Sequence, residues 1–163
     1  MSVALARNAR LRHVRLLRKV QQIYPESLKK AGSALGTQLQ ELPSSLLWEL
    51  VCPGLQALHP SYFQNLQLLG SQVIDLHSNE DLGTQGVKVV DRVLDQFVAN
   101  RNIGALLVNH WPDPLAARNL LTSSVGAVHL HLGPPKSKEM IYSHLLNGHQ
   151  GLSWLYLQTL GHS

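Results

Sequence analysis

Apolar residues recur at helical spacing along most of this chain, and two-residue hairpin turns between alternating runs are absent. Residues 82–101 illustrate the pattern, because Val87, Val90, Leu94 and Phe97 fall on one face of a helix. No alternation of strands with helices appears that would suggest a parallel sheet. The pattern therefore predicts an all-α fold.

Proline, glycine and serine divide this pattern into separate helices. One helix is expected to begin at Ser44 or Ser45, either of which can cap it, and to break at Pro53 and Gly54. The other predicted helices cover 61–79, 82–101, 102–111, 114–133, 136–148 and 152–160. Residues 31–43 are interpreted as a connection, since glycine and proline lie there among small and polar residues.

Composition narrows the possible classes of protein. The chain has 163 residues, of which 44% are hydrophobic and 15% charged, and this length suggests one domain. High hydrophobicity excludes a disordered chain, and a stretch of 18 apolar residues that could span a membrane is absent. Cys52 is the only cysteine, which excludes an intrachain disulfide and a cysteine-rich zinc site. A low charged fraction suggests a surface covered by partners.

Charge is distributed unevenly, and residues 1–30 carry a net charge of +7 against −3 for the remainder. We call residues 1–35 the basic arm and 36–160 the body. An arginine-rich, acid-poor amphipathic segment is typical of a mitochondrial transit peptide. It would also suit a helix lying along RNA phosphates, or a basic helix packed on its own domain. The candidate RNA-binding residues are Arg7, Arg10, Arg12, Arg15, Arg18 and Lys19.

Two segments of the body resemble the ribonuclease III domain. Residues 64–74, QNLQLLGSQVI, are similar to its signature helix, Glu-Arg-Leu-Glu-Phe-Leu-Gly-Asp-Ala-Val-Leu. Residues 119–130, NLLTSSVGAVHL, are similar to a second segment, Asp-Thr-Val-Glu-Ala-Leu-Ile-Gly-Ala-Val-Phe-Leu. The stretch LQALHPSYF precedes the first segment, and the resemblance covers roughly residues 40–155. It implies the ribonuclease III endonuclease-domain fold.

Gly70 and Gly126 lie inside these two apolar segments. Glycine within a helix costs about 1 kcal/mol relative to alanine, so its presence suggests that another backbone approaches closely. In ribonuclease III domains the two corresponding helices pack against each other around the metal site. We therefore expect these two helices to touch at their glycines.

The resemblance also shows what this chain lacks. Active members of the family bind magnesium through two carboxylates on each of these helices, because this hard cation prefers oxygen ligands. The four matching positions here are Gln67, Ser71, Asn119 and Thr122. The chain is therefore expected to have no catalytic residue, no metal site and no cofactor, and not to be an enzyme.

Several other residues of the body carry side chains that could replace the missing chemistry. Asp75 lies one turn beyond Ser71, while Glu80 and Asp81 are near the expected helix end, and all three are interpreted as surface or capping residues. The nine histidines include no zinc-binding HExxH pattern. Buried or interface positions are expected for the cysteine and the tryptophans, namely Cys52, Trp48, Trp111 and Trp154.

A degenerate ribonuclease III-like body behind a basic arm resembles the ribonuclease III-like proteins of the mitochondrial large ribosomal subunit. The resemblance implies a structural protein of the mitochondrial matrix that binds ribosomal RNA and neighbouring proteins, with no membrane partner. A second ribonuclease III-like subunit is the expected heterodimer partner. The alternatives are the inactive half of a heterodimeric ribonuclease III, a small enzyme of the Mini-III type, and an RNA-processing or editing factor. The sequence leaves open which RNA is contacted, whether the arm is cleaved, and whether the protein forms a homodimer or a heterodimer.

Overall fold

A computed structural model describes residues 15, 34–108, 114–147 and 150–161 of the chain. Every regular element within these ranges is helical, which confirms the all-α prediction for this part of the chain. Short 3₁₀ helices cover Thr37–Glu41 and Ile103–Leu106, and a π-helix covers Ile141–Leu146. The α-helices are α1 (Ser44–Val51), α2 (Pro53–Gln56), α3 (Pro60–Asn100), α4 (Pro114–Leu132), α5 (Pro134–Met140) and α6 (Leu152–Gly161).

Helix α3 is interrupted at Gly83, which adopts the non-helical angles φ 78° and ψ 178°. A continuous helix would hold Asp75 and Asp91 about 24 Å apart, at 1.5 Å per residue. Instead their carboxylates interact electrostatically, and Arg118 of α4 interacts with both. The first half of α3 (residues 60–82) and the second half (residues 84–100) therefore fold back on each other. Gly83 permits this reversal because side-chain-bearing residues rarely adopt a positive φ.

Helix α4 occupies the centre of the fold. Residues 120–128 are all buried, and the helix is contacted by α1, α3, α5 and both 3₁₀ helices. A helix that is buried on every side needs small or apolar residues around its whole circumference, as the sequence LLTSSVGAV of this stretch provides. The position of any side chain on this helix therefore depends on the elements that surround it.

Residues 34–43, the described part of the expected connection, belong to the core. Leu35, Leu39 and Leu42 are buried in the hydrophobic core, so interpreting this segment as only a connection was wrong. Gly36 has φ 141° and lies against the side chains of Met140 and His144. Gly36 thus allows the chain to turn where it packs closely on α5 and the π-helix. Leu35 and Leu39, on either side of this turn, are buried.

Helix boundaries differ from the predictions at several points. Helix α1 begins after Pro43 without a side-chain cap, so the expected serine cap was wrong. The break at Pro53 is confirmed, because Cys52 is extended and α2 begins at the proline. Helix α3 continues past Asn79 to Gly83. In the part of the chain that the structure describes, no helix is both long and apolar enough to cross a bilayer.

Candidate functional site at the crossing of helices α3 and α4

Helices α3 and α4 touch backbone to backbone at two glycines. A Cβ atom added to Gly70 would overlap the carbonyl oxygen of Thr122 and lie 3.0 Å from the amide nitrogen of Gly126. A Cβ atom added to Gly126 would overlap the carbonyl oxygen of Leu66. Both glycines are buried. The predicted close approach is confirmed, and it holds the two helices in a tightly defined crossing.

This crossing brings two of the four predicted site residues into one cleft. Gln67 of α3 and Asn119 of α4 line an open cleft of about 240 Å³. Ser71 is half-buried. Thr122 is buried, and its hydroxyl donates to the carbonyl oxygens of Arg118, at 3.1 Å, and of Asn119, at 3.2 Å. The threonine side chain is thus bonded to its own helix and does not line the cleft.

A third carboxamide, Gln56 of α2, lines the same cleft. Its Nε2 donates to the carbonyl oxygens of Glu49, at 2.9 Å, and of Leu50, at 3.2 Å, near the end of α1. Carbonyls in the last turn of a helix lack partners within that helix, so this side chain completes the end of α1. The sequence signals near Gln56 were the break at Pro53 and the stretch LQALHPSYF, and neither indicated a role for this residue.

The described residues that line the cleft carry no ionisable side chain. They are Leu50, Pro53, Gln56, Gln67, Leu107, Leu115, Ala116, Asn119 and Leu120. Among the described residues, no group of three or more His, Cys, Asp or Glu side chains is arranged to hold a metal ion. Because a hard divalent cation prefers anionic oxygens, this set of side chains suits a neutral ligand better than magnesium.

Acidic residues lie beside the crossing, around Arg118. The guanidinium of Arg118 pairs with Asp91 and lies 3.9 Å from a carboxylate oxygen of Asp95, both in the second half of α3. Partial loss of water around Asp75, reinforced by the charge of Asp91, raises the pKa of this carboxyl group, and Arg118 opposes the shift. Asp75 is exposed, in agreement with its interpretation as a surface residue. It is not among the residues that line the cleft.

A second polar group lies at the far end of the first half of α3. His77 Nδ1 lies 2.9 Å from Glu80 Oε2, and the hydroxyl of Tyr142 donates to the same oxygen at 3.1 Å. Hydrogen bonds from His77 and then Tyr142 lower the pKa of Glu80. The hydroxyl of Ser153 donates to Asp81 at 3.2 Å. Glu80 and Asp81 therefore attach α3 to the π-helix and to α6.

The remaining residues discussed from the sequence have separate positions. His129 Nδ1 is 2.8 Å from the Ser137 hydroxyl, whereas His131 Nε2 is 2.8 Å from the Tyr62 hydroxyl, so the two histidines have different partners. Trp48 and Cys52 are buried, and Trp154 is 42% exposed. Trp111 lies outside the described residues.

Of the candidate RNA-binding residues, Arg15 is helical and exposed, and the others (Arg7, Arg10, Arg12, Arg18 and Lys19) lie outside the described residues.

Comparison of the chain with known protein families, with curated proteins and with solved structures gives no match. The helix crossing, the cleft and the charge distribution are therefore the observations from which a function is proposed.

Proposed function

We propose that this protein is a non-catalytic, ribonuclease III-like structural constituent of the mitochondrial large ribosomal subunit, located in the matrix, that binds ribosomal RNA and neighbouring proteins. The observation that carries the proposal is the pairing of a tight glycine crossing with an uncharged cleft. Gln67 and Asn119, at two of the positions where the family has carboxylates, face one cleft. A retained helix crossing without charged ligands supports a role as a scaffold.

Exposed leucines on α3 support a protein partner. Leu68 is 60% exposed and Leu76 is 53% exposed in the first half of α3. Asp75 is the only charged residue between positions 61 and 79. Exposed apolar side chains with little charge around them are typical of the core of a protein interface. A second ribonuclease III-like subunit is the partner that we propose for this surface.

Charge supports an RNA contact through the basic arm. Residues 1–30 carry eight of the fourteen lysines and arginines, whereas the remainder of the chain has an excess of acidic residues. Phosphate contacts are made mainly by basic side chains, and each neutralised phosphate releases counterions. The proposed RNA-binding residues are therefore Arg7, Arg10, Arg12, Arg15, Arg18 and Lys19 of the arm.

Sedimentation tests the proposal directly. A tagged chain from lysed mitochondria is run on a sucrose gradient at moderate and at high salt. We expect it to travel with the large ribosomal subunit at both salt concentrations, because an integral structural protein is held by more than surface charge. Migration in a small complex free of ribosomes would overturn the ribosomal assignment and favour an inactive subunit of an RNA-processing complex.

A magnesium titration tests the loss of chemistry separately. The Gln67→Glu/Asn119→Asp variant places two carboxylates in the cleft, and Gln64→Glu/Gln72→Glu is the matched control on the exposed side of α3. We expect millimolar Mg²⁺ to raise the melting temperature of the first variant only, since a ligand that binds the folded state stabilises it. No difference between the two variants would contradict the assignment of these positions as former metal ligands. The unaltered chain is expected not to cut double-stranded RNA.

A further inference from the structure

The cleft at the helix crossing has the features of a binding site for a neutral ligand. It is lined by three carboxamides, Gln56, Gln67 and Asn119, and otherwise by apolar side chains. Its volume of about 240 Å³ equals that of roughly eight molecules of liquid water, and it is smaller than the pockets of about 300–1,000 Å³ that hold drug-sized ligands. This volume and this chemistry suit a small neutral ring system better than an ion.

The hydrogen-bonding capacity of the cleft is available to such a ligand. Among the described residues, neither Gln67 nor Asn119 makes a hydrogen bond within the protein through its carboxamide. Gln56 uses its Nε2 on the end of α1, which leaves its Oε1 as an acceptor. Removing water from a half-buried amide group that has no other partner costs free energy. A ligand that forms hydrogen bonds with these amide groups therefore binds more tightly and more selectively than one that does not.

The chemistry of the carboxamides indicates which base would bind. A carboxamide can bond bidentately to adenine, accepting from N6 and donating to N7, whereas guanine is matched by arginine or lysine and cytosine by a carboxylate. Among the described residues that line the cleft, none carries one of those charged groups. Leu50, Leu107 and Leu120 provide apolar walls for the faces of a ring. Leu115 also lines the cleft although it is 68% exposed, which places an apolar side chain at the mouth.

We infer that this cleft binds the base of an unpaired adenosine in RNA, held by the carboxamides of Gln67 and Asn119 between apolar walls. The base must be unpaired, since base edges become accessible to such pockets when a nucleotide leaves its helix. Without cations in the lining, the ribose and phosphate remain outside. The inference rests on the proposed function only in taking RNA as the source of the base.

Nucleosides are the probe that tests this inference. The full-length chain, labelled with ¹⁵N, is titrated with adenosine, uridine, guanosine and cytidine while the side-chain amide resonances of Gln67 and Asn119 are followed. Nucleosides carry no phosphate, so the charge of the basic arm does not contribute. We expect adenosine to shift these resonances and to bind at least fivefold more tightly than the other three nucleosides.

Two variants and a matched control make the test specific. Asn119→Leu and Gln67→Met remove one carboxamide each with little change in volume, and Gln72→Met makes the same change at an exposed position of α3. A good bidentate contact contributes about 1–3 kcal/mol of discrimination, which corresponds to roughly a 5- to 150-fold weaker affinity for adenosine in the cleft variants. The control is expected to bind adenosine unchanged. Circular dichroism establishes that each variant is folded. One folded cleft variant is enough for the comparison of adenosine affinity with the control.

Several outcomes would overturn the inference. These outcomes are unmoved resonances of both residues when adenosine is added, equal binding of all four nucleosides, and a folded cleft variant that binds adenosine as tightly as the control does. Shifts caused by N-acetylasparagine amide but not by adenosine would assign the cleft to a side chain of a partner protein instead. Sedimentation reports on the proposed function independently, so a chain that travels with the ribosomal subunit yet ignores adenosine would refute only the cleft assignment.

Discussion

The first half of α3 is attached to the rest of the fold in two different ways. Around Gly70 it meets α4 through buried backbone contacts, with no room for a single added methyl group. Around Glu80 it is joined to the π-helix and α6 by exposed side-chain hydrogen bonds from Tyr142 and Ser153 to acidic side chains. Close packing is sensitive to volume and nearly insensitive to pH, whereas exposed polar contacts depend on protonation and contribute less.

This contrast explains where a precise site can form. The cleft lies beside the backbone crossing, so Gln67 and Asn119 are positioned by contacts that have little freedom to shift. Binding groups need such support, because a site loses affinity when its residues can move away from the productive geometry. The polar end near Glu80 has no comparable constraint. Four predictions test this comparison, in order of decreasing effect.

The largest effect is expected for Gly70→Ala and for Gly126→Ala. The new methyl group would overlap a backbone carbonyl oxygen, which cannot rotate away, so the helices must separate. We expect the free energy of unfolding to fall by about 3 kcal/mol or more in each variant. Urea unfolding measures this loss. Gly54→Ala is the control, since nothing lies within 4 Å of the added atom, and it should change stability by less than about 1 kcal/mol. Equal losses in all three would contradict the backbone crossing.

A smaller effect is expected for Gly83→Ala. No atom lies within 4 Å of the added methyl group, but the residue has φ 78° and ψ 178°. This conformation is essentially restricted to glycine, and the strain costs about 1–3 kcal/mol. The loss would therefore come from backbone conformation alone. Thr84→Ala, at the next and exposed position, serves as the control and should stay within about 0.5 kcal/mol of the unaltered chain. If Gly83→Ala left the free energy of unfolding unchanged, the reversal of α3 would not depend on the backbone conformation of residue 83.

The polar attachment is expected to give a smaller, pH-dependent effect. The hydrogen bonds from His77 and Tyr142 lower the pKa of Glu80 in the folded protein. The stabilisation is therefore present above the ordinary pKa of this carboxyl group and is lost as the pH falls through its lowered value. Glu80→Gln should melt at a lower temperature than the unaltered chain at pH 7, and the difference should vanish in acid. Tyr142→Phe should show part of the same loss. A melting difference independent of pH would argue against a charge effect.

The smallest effect, and one of opposite sign, is expected for Asp75→Asn. Burial and the charge of Asp91 raise the pKa of Asp75 in the folded protein. The folded state then binds more protons than the unfolded state, so this group reduces stability as the pH rises through its raised pKa. Asp75→Asn should slightly raise the melting temperature at pH 7, with the gain shrinking as the pH falls. A lower melting temperature at pH 7 would mean that the pairing with Arg118 outweighs the repulsion.

Local sequence features predicted much of the architecture. The period of apolar residues identified the long helices, and Pro53 marked a break that the structure contains. Gly70 and Gly126 indicated a close helix crossing, because glycine is unfavourable inside a helix unless its small size is needed. These features depend on residues within a few positions of each other. The end of the first of these helices was predicted too early, at Asn79, because α3 remains helical until the positive φ of Gly83.

Other features were decided by tertiary contacts. Leu35, Leu39 and Leu42 become core residues only because α4 and α5 pack over their segment, although the surrounding glycines and proline resemble a linker. The π-helix at Ile141–Leu146 has its His144 carbonyl bonded by Arg101 from the end of α3. Such contacts join residues that are distant along the chain, so no local pattern in the sequence indicates them.

Local sequence patterns are enough to indicate that this protein is helical, that two helices meet at glycines, and that the positions resembling metal ligands are uncharged. The packing of the helices is needed to establish that Gln67 and Asn119 share a cleft, that Thr122 bonds to its own helix, and that Gln56 joins them from α2. Periodicity and side-chain charge can be read from the chain because they are properties of neighbouring residues. A cleft, by contrast, exists only where separate helices pack and leave space between them.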